Sequence, residues 1–131
     1  MEDGKIIIDT SILIDYFRKA DKEKSRFVYH IRNYQKIYIS SITEFEIFNG
    51  AAQAHKEFWD KMLSHIAVLD FDSLAAREAA RIVSELKAKR KSIDKPDLFI
   101  AATAIIHDMT FDTFNTKHFK HIERLKLFTG D

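Results

Sequence analysis

The fold follows from one stretch near the start of the chain, IIIDTSIL at residues 6–13. Three consecutive β-branched residues are typical of a short strand that is buried on both faces of a parallel sheet. Asp9 and the two hydroxyl residues after it then supply side chains that start helices, and Ile12 begins an apolar helix face. The stretch therefore predicts a strand that ends at Asp9 and passes directly into a helix.

The same alternation of strand and helix continues along the chain. Further strands are predicted at residues 37–39, 67–69, 110–114 and 125–128, the last at an edge of the sheet. Helical periodicity is found at residues 10–17, 21–34, 42–48, 55–65, 74–88 and 97–107. This order predicts an α/β protein with a mostly parallel central sheet between two helical layers. Sites in such sheets form beyond the carboxyl ends of the strands.

Length and composition describe residues 1–131 as a single globular domain. The chain has 46% hydrophobic and 31% charged residues, and no apolar run approaches the roughly 18–20 residues of a membrane span. It contains no cysteine, which excludes disulfides, thiolate metal sites and cysteine nucleophiles. The acidic start does not fit a signal peptide, so we expect a cytoplasmic protein. A net charge of +1 means that nucleic-acid binding would depend on local basic clusters.

Three acidic residues lie where a catalytic site can form. Asp9 ends the first strand, Glu44 follows the second strand, and Asp97 opens the helix that starts near Pro96. Each also has an ordinary structural explanation. Asp9 can cap a helix, and Glu44 has capping-box spacing from Ser41. Asp97 can stabilise the N-terminus of its helix through the helix dipole.

Together, the three acids favour a metal site over three separate helix caps. Carboxylates about 5 Å apart repel each other by roughly 3 kcal/mol per pair at an effective dielectric constant near 20, which exceeds what a cap contributes. Such a cluster persists when it binds a cation or changes its protonation. Oxygen ligands favour Mg²⁺ or Mn²⁺. An ion of this kind in an open pocket suits metal-assisted hydrolysis of a phosphodiester.

Three blocks of the sequence resemble the signature motifs of PIN-domain ribonucleases, especially VapC-type toxins of type II toxin–antitoxin pairs. The blocks are IIDTSILID at residues 7–15, SSITEFE at residues 40–46 and DLFIAATA at residues 97–104, and the tail TFNTKHF at residues 113–119 also agrees. The resemblance implies a PIN-like three-layer α/β/α sandwich and an endoribonuclease that depends on Mg²⁺ or Mn²⁺. It also implies a cognate antitoxin and a homodimer. Transfer RNA is a common target of such relatives and is therefore the favoured substrate.

The resemblance also implies roles for individual residues. Asp9, Glu44 and Asp97 correspond to the acidic site of the family and are the candidate catalytic and metal-binding residues. Asp9 and Asp97 would hold the metal, and Glu44 would complete its coordination directly or through a water molecule. Thr10 and Ser11 would donate hydrogen bonds to the Asp9 carboxylate.

The tail departs from the family pattern. Many family members carry a fourth acid in the segment that matches residues 113–119, where this chain has Asn115 and His118. Asn115 is a fourth candidate catalytic residue because its amide oxygen can bind a cation or orient water, and Thr113 is expected to support the site. Asp112 either replaces the missing acid or faces water at the sheet edge, and we favour the second. A second metal ion is therefore not expected.

Basic residues flank the predicted acidic site on both sides. Lys91 and Lys95 precede the third acid and are candidates for binding RNA phosphates, or else form a solvated helix end. Lys117 and His118 form a second candidate group in the tail. The histidines lack metal-ligand spacing, and His30 is expected on a helix surface. No aromatic RNA-binding motif is present, so recognition is expected to depend on shape and backbone rather than on base stacking.

Two functions are compatible with these observations. The leading one is a metal-dependent endoribonuclease that acts as the toxin of a toxin–antitoxin pair. The second is a catalytically weak PIN-like module that binds RNA or an antitoxin, and its only support is the missing fourth acid. RNA cleavage that requires Mg²⁺ or Mn²⁺ and stops with EDTA would distinguish the two.

Overall fold

Within residues 4–130, which the computed structural model describes, five parallel strands form one sheet in the order β3-β2-β1-β4-β5. The strands are β1 (Lys5–Ile8), β2 (Lys36–Ser40), β3 (Ala67–Leu69), β4 (Thr110–Asp112) and β5 (Lys126–Leu127). Residues 1–3, whose two acids make the start of the chain unlike a signal peptide, lie outside the described residues. The predicted parallel sheet is confirmed, and the first strand occupies its centre.

Six α-helices occur in the described part of the chain. They are α1 (Thr10–Arg18), α2 (Arg26–Asn33), α3 (Ser41–Gly50), α4 (Lys56–Leu63), α5 (Ser73–Ala88) and α6 (Lys95–Ile106). The helix predicted at residues 21–34 is instead a short 3-10 helix followed by α2, because the hydroxyl of Ser25 accepts from the Val28 amide and starts a new helix. Among residues 4–130, no helix combines the length and the apolar character that crossing a membrane requires.

The helices cover both faces of the sheet, and β1 contributes to both cores. Ile7 packs with the apolar residues of α5 and α6 on one face. Ile6 and Ile8 point to the opposite face, where α1, α2 and α4 supply the core. All three isoleucines are fully buried, as expected for a central strand covered on both sides. The three-layer α/β/α architecture is therefore confirmed.

Two polar residues that were predicted to face water are buried between α2 and the sheet. Asp112, at the end of β4, is 1% exposed, and His30 is 0% exposed. The Asp112 carboxylate accepts hydrogen bonds from Arg26 Nε and Nη2, both at 2.8 Å, and lies 2.6 Å from His30 Nε2. Both surface predictions were wrong because a cation from another element neutralises the carboxylate and allows its burial. Asp112 is held by these partners and does not replace the missing acid.

The face of α2 also differs from the prediction. The helical periodicity of residues 21–34 puts Ile31 on one apolar stripe with Phe27, but Ile31 is 51% exposed, whereas Phe27 and His30 are buried. The new helix start at Ser25 and the attraction of Arg26 and His30 to the buried carboxylate set this rotation. Tertiary contacts therefore decided which face of the helix meets the sheet.

The topology brings three chain segments to one edge of the sheet. Helices α1 and α3 begin immediately after β1 and β2, and Ile8 pairs in register with Asp112 of β4. The Asp9 amide donates to the Asp112 carbonyl at 3.2 Å, which extends this pairing by one step. Residues that follow the three strands consequently meet at the carboxyl edge of the sheet.

Candidate active site

Asp9 is a buried carboxylate at the centre of this edge. It caps α1 and is 4% exposed. Its Oδ1 accepts from the Ser11 amide at 3.0 Å and from the Ser11 hydroxyl at 2.6 Å, and its Oδ2 accepts from the Thr113 hydroxyl at 2.6 Å. Burial raises the pKa of Asp9 to about 6, and these hydrogen bonds oppose the rise only in part. Among the described residues, its hydrogen-bond partners are hydroxyls and amides, not cations.

The two hydroxyls that hold Asp9 are themselves oriented by the backbone of the tail. The Ser11 hydroxyl accepts from the Phe114 amide at 3.0 Å, and the Thr113 hydroxyl accepts from the Asn115 amide at 2.9 Å. Each hydroxyl proton is therefore directed to Asp9. The tail that follows β4 thus fixes the orientation of a carboxylate that is more than 100 positions away in the chain.

A cavity of about 480 Å³ opens beside Asp9 and contains the acid of α3. Its lining residues are Asp9, Thr10, Ser11, Ile14, Asp15, Arg18, Glu46, Asp97 and Asn115. Glu44, the glutamate predicted from the sequence, is not among the described residues that line this cavity. Thr10 donates to Glu46 Oε1 at 2.5 Å, instead of donating to Asp9 as expected.

Among the described residues, α3 thus brings Glu46 rather than the predicted Glu44 to the cavity. Helix α3 begins one residue earlier than the capping box requires, because Ser40 is its N-cap and accepts from the Ile42 amide at 2.8 Å. The Ser41 hydroxyl instead accepts from the Phe71 amide. Positions 44 and 46 lie roughly 200° apart around a helix, so only one of them can face α1.

Asp97 lies in the first turn of α6 and lines the cavity. Its side chain is 24% exposed, and its Oδ2 lies 3.1 Å from His118 Nδ1. Burial raises the pKa of Asp97, while the contact with His118 lowers it in part. Asp97 also lines a second cavity of about 230 Å³, together with Lys117, His118 and His121.

The acids line one cavity without forming a closed ligand set. Within residues 4–130, no three His, Asp or Glu side chains are grouped closely enough to hold a metal ion. The chemistry of the donors nevertheless suits a hard cation, because the groups at the cavity are carboxylates and an amide. Asp9 Oδ2 accepts one described hydrogen bond, and a carboxylate oxygen has capacity for a second partner.

Two cavity residues of α1 were missed by the sequence analysis. Asp15 and Arg18 line the cavity together with Ser11, and Asp15 Oδ2 is buried without a hydrogen-bond partner among the described atoms. The signal was their spacing, since positions 11, 15 and 18 share one face of a helix. The prediction of α1 depended on its apolar face, whereas Asp15 and Arg18 lie on its polar face.

The predicted basic residues separate into two groups. Lys117 and His118 line the second cavity beside Asp97. Among the described residues, Lys91 and Lys95 line neither of the two cavities, and both are exposed. The pKa of His121 is lowered by desolvation and by Lys91 and two other lysines, which marks a positive surface beside the second cavity.

Comparisons with known proteins agree with this geometry. The family model described as PIN domain matches residues 6–125. The chain is 34% identical over 128 residues to Ribonuclease VapC1 of Methanocaldococcus jannaschii, which covers 97% of this chain and 85% of that protein. It is 29% identical over 128 residues to a tRNA(fMet)-specific endonuclease VapC of Shigella flexneri, covering 93% and 95%.

The solved structures agree as well. With a TM-score of 0.83 and 28% identity, the chain matches a chain from the crystal structure of VapBC2 from Rickettsia felis bound to a DNA fragment from their promoter. The match covers 97% of this chain and 99% of the other. Sequence and architecture therefore agree, and this chain belongs to the PIN-domain family and, within it, to the VapC group.

Proposed function

We propose that this chain is a metal-dependent endoribonuclease of the toxin class and that the cavity lined by Asp9, Glu46 and Asp97 is its active site. The observation that carries the proposal is the environment of Asp9, a buried carboxylate beside two more acids, whose described partners are hydroxyls and amides. A desolvated carboxylate of this kind binds a cation strongly. The ribonuclease names of the VapC relatives support RNA as the substrate.

The donor set fits Mg²⁺ or Mn²⁺ because carboxylate and amide oxygens are the ligands that these ions prefer. Asp9 and Asp97 would hold the ion, and Glu46 and Asn115 would complete its surroundings directly or through water. A bound divalent ion neutralises phosphate charge and makes water more acidic. Because the acids are not grouped as a closed ligand set, water or a small side-chain movement would complete the coordination.

The residues around the acids orient them and bind the substrate. Ser11 and Thr113 hold the Asp9 oxygens in one orientation, and Thr10 does the same for Glu46. Arg18 lines the acidic cavity and would provide a cation for a phosphate next to the cleaved one. Lys117 and His118 would extend this phosphate contact along the second cavity. Lys91 and Lys95, which are exposed outside both cavities, would bind phosphates farther along the RNA.

Transfer RNA is the favoured substrate class, since the Shigella flexneri relative is named a tRNA(fMet)-specific endonuclease. A cognate antitoxin and a homodimer are proposed from the similarity to VapC-type toxins. Light scattering of the purified protein would give the oligomeric state. Co-purification with the product of a neighbouring short reading frame would test the antitoxin.

Incubation of purified protein with total transfer RNA tests the central proposal. Cleavage is expected with Mg²⁺ or Mn²⁺ and is expected to stop with EDTA. Asp97→Asn should abolish cleavage without lowering the melting temperature of the metal-free protein. RNA binding without cleavage by the parent protein would instead support the weak binding module, and cleavage that is unaffected by EDTA would contradict the metal requirement.

A further inference from the structure

Phe114 is an exposed aromatic ring beside the acidic cavity. It follows Thr113 in the tail and is 47% exposed. Its amide donates to the Ser11 hydroxyl at 3.0 Å, and that hydroxyl donates to Asp9 Oδ1 at 2.6 Å. Two hydrogen bonds therefore connect the backbone of this ring to the central carboxylate of the site.

The ring also rests on a fixed cation. Arg26 Cζ lies 5.0 Å from the centroid of the Phe114 ring and 5.1 Å from the centroid of Phe128. The guanidinium is held in place by its two hydrogen bonds to Asp112. A cation over a ring covers one of its faces and restrains the side chain. Water contact with an aromatic ring is unfavourable, so a restrained, half-exposed ring beside a catalytic cavity calls for an explanation.

We propose that Phe114 is a stacking platform for an unpaired base of the RNA, next to the phosphate that is cleaved. The inference rests on the proposed ribonuclease function and adds to it a contact that reads the base rather than the backbone. Single-stranded nucleic acids commonly bind by stacking bases on aromatic side chains beside a positively charged path. Here Phe114 lies in the tail between Thr113, which donates to Asp9, and Asn115, which lines the acidic cavity, and Lys117 follows in the same tail. Base stacking, which the sequence motifs did not indicate, thus enters through a single residue.

The alternative role for the ring is structural, as a cover that shields the Arg26–Asp112 ion pair from water. The structural role and the stacking role tolerate different substitutions. A leucine would still cover the ion pair, whereas only an aromatic ring offers a flat surface to a base. The series Phe114→Trp, Phe114→Leu and Phe114→Ala therefore separates the two roles.

The test measures binding of a short unstructured RNA in an Asp97→Asn background, which prevents cleavage and leaves the Ser11–Phe114 contact in place. Phe114→Leu and Phe114→Ala should weaken binding by about 5- to 100-fold, the loss typical of one stacked base. Phe114→Trp should bind at least as tightly as the parent. Phe45→Leu removes a ring that is 64% exposed on α3 and should not change the affinity.

A matched RNA series with one abasic nucleotide at successive positions completes the cycle. At the nucleotide whose base stacks on the ring, removal of the base should weaken binding to the parent protein. The same abasic RNA should bind the Phe114→Ala variant as tightly as intact RNA binds that variant. The proposal is overturned if Phe114→Leu binds like the parent, or if Phe114→Ala loses affinity equally for intact and abasic RNA. If no Phe114 variant changes RNA affinity in a protein that cleaves RNA, stacking alone is contradicted and the ring keeps its structural role over the Arg26–Asp112 ion pair. Failure of the parent to bind or cleave RNA contradicts the ribonuclease proposal itself.

Discussion

Two buried carboxylates lie side by side at the carboxyl edge of the sheet and are treated in opposite ways. Asp9 follows β1 and Asp112 ends the neighbouring strand β4, with exposures of 4% and 1%. Asp112 is bound by Arg26 and His30, which lower its pKa despite burial. Asp9 is bound by hydroxyls and amides, and burial raises its pKa to about 6.

We propose that this difference separates a structural carboxylate, Asp112, from a functional one, Asp9. The charge of Asp112 is compensated by Arg26 of the fold itself, and His30 adds a further hydrogen bond, so this carboxylate joins α2 to the sheet. The charge of Asp9 is only partly compensated by its hydrogen bonds, so we expect a cation that binds in the cavity to stabilise the folded protein. The presence of an internal cation, rather than burial or strand position, distinguishes the two sites.

The largest expected effect concerns the uncompensated carboxylate. Asp9→Asn should lower the rate of RNA cleavage by more than about 100-fold, beyond the 10- to 100-fold typical when a residue that orients a metal ligand is lost. The amide keeps the size of the side chain and can still accept from Ser11. A gel assay with Mg²⁺ measures the rate, and a thermal melt should show that the variant is folded and no longer stabilised by Mg²⁺. Cleavage at the parental rate would reduce Asp9 to a helix cap.

Removal of Arg26, the cation that compensates Asp112, should have the largest effect on stability. Arg26→Met leaves a buried carboxylate without its main partner and should lower the free energy of unfolding by about 3–4 kcal/mol. Urea denaturation measures the change. Arg32→Met is the matched control in the same helix, because its partner Glu23 is 68% exposed, and exposed ion pairs contribute about 0–1 kcal/mol. An equal loss of unfolding free energy for Arg26→Met and Arg32→Met would contradict the structural role of the buried ion pair.

The pH dependence of stability should reveal the raised pKa of Asp9 in metal-free protein. A carboxylate whose pKa rises from 3.8 unfolded to about 6 folded favours folding while protonated, and this contribution is lost as pH increases from about 4 to 6. Asp9→Asn lacks the titration, so its stability relative to the parent should rise over that window by up to about 3 kcal/mol. A constant difference between the two proteins across the window would refute the assignment.

Asp112 should behave in the opposite sense. Its pKa is lowered in the folded protein. Its contribution to the free energy of unfolding is therefore present at neutral pH and is lost as the pH falls below the unfolded pKa of 3.8. The parent should therefore lose its stability advantage over Asp112→Asn on acidification.

The hydroxyl support of Asp9 predicts an intermediate effect on activity. Thr113→Val retains the shape of a fully buried side chain but removes the donor to Asp9 Oδ2. We expect a 10- to 100-fold loss of metal affinity or activity, about the range for residues that orient a ligand. A Mg²⁺ titration of the cleavage rate measures it. Thr110→Val in the preceding strand β4, outside the cavity, is the control.

The two glutamates of α3 provide the finest comparison and the smallest expected effect. Glu46→Gln should slow cleavage by about 10-fold, since one oxygen that faces the cavity loses its charge. Glu44→Gln should leave the rate within experimental error. A larger effect for Glu44→Gln would restore the assignment made from the sequence.

Much of the fold could be predicted because its signals are local. The β-branched run before Asp9, the helix cap at Asp9 and the helix that starts near Pro96 each depend on neighbouring residues. The acid at the end of β1 and the acid in the first turn of α6 were located for the same reason. The choice between Glu44 and Glu46 failed because it depends on the rotation of α3, and a shift of one residue in the helix start reverses it.

What the chain determined by itself is the order of strands and helices and the presence of acids where strands end, because hydrophobic period and capping act over a few residues. What only the tertiary structure decided is which polar side chains meet. Arg26 and Asp112 are 86 positions apart, and Asp9 and Thr113 are 104 positions apart. These long-range pairings bury Asp112 with a cation and Asp9 without one. The free energy of a buried charge depends on the groups that surround it in space, which local sequence does not specify.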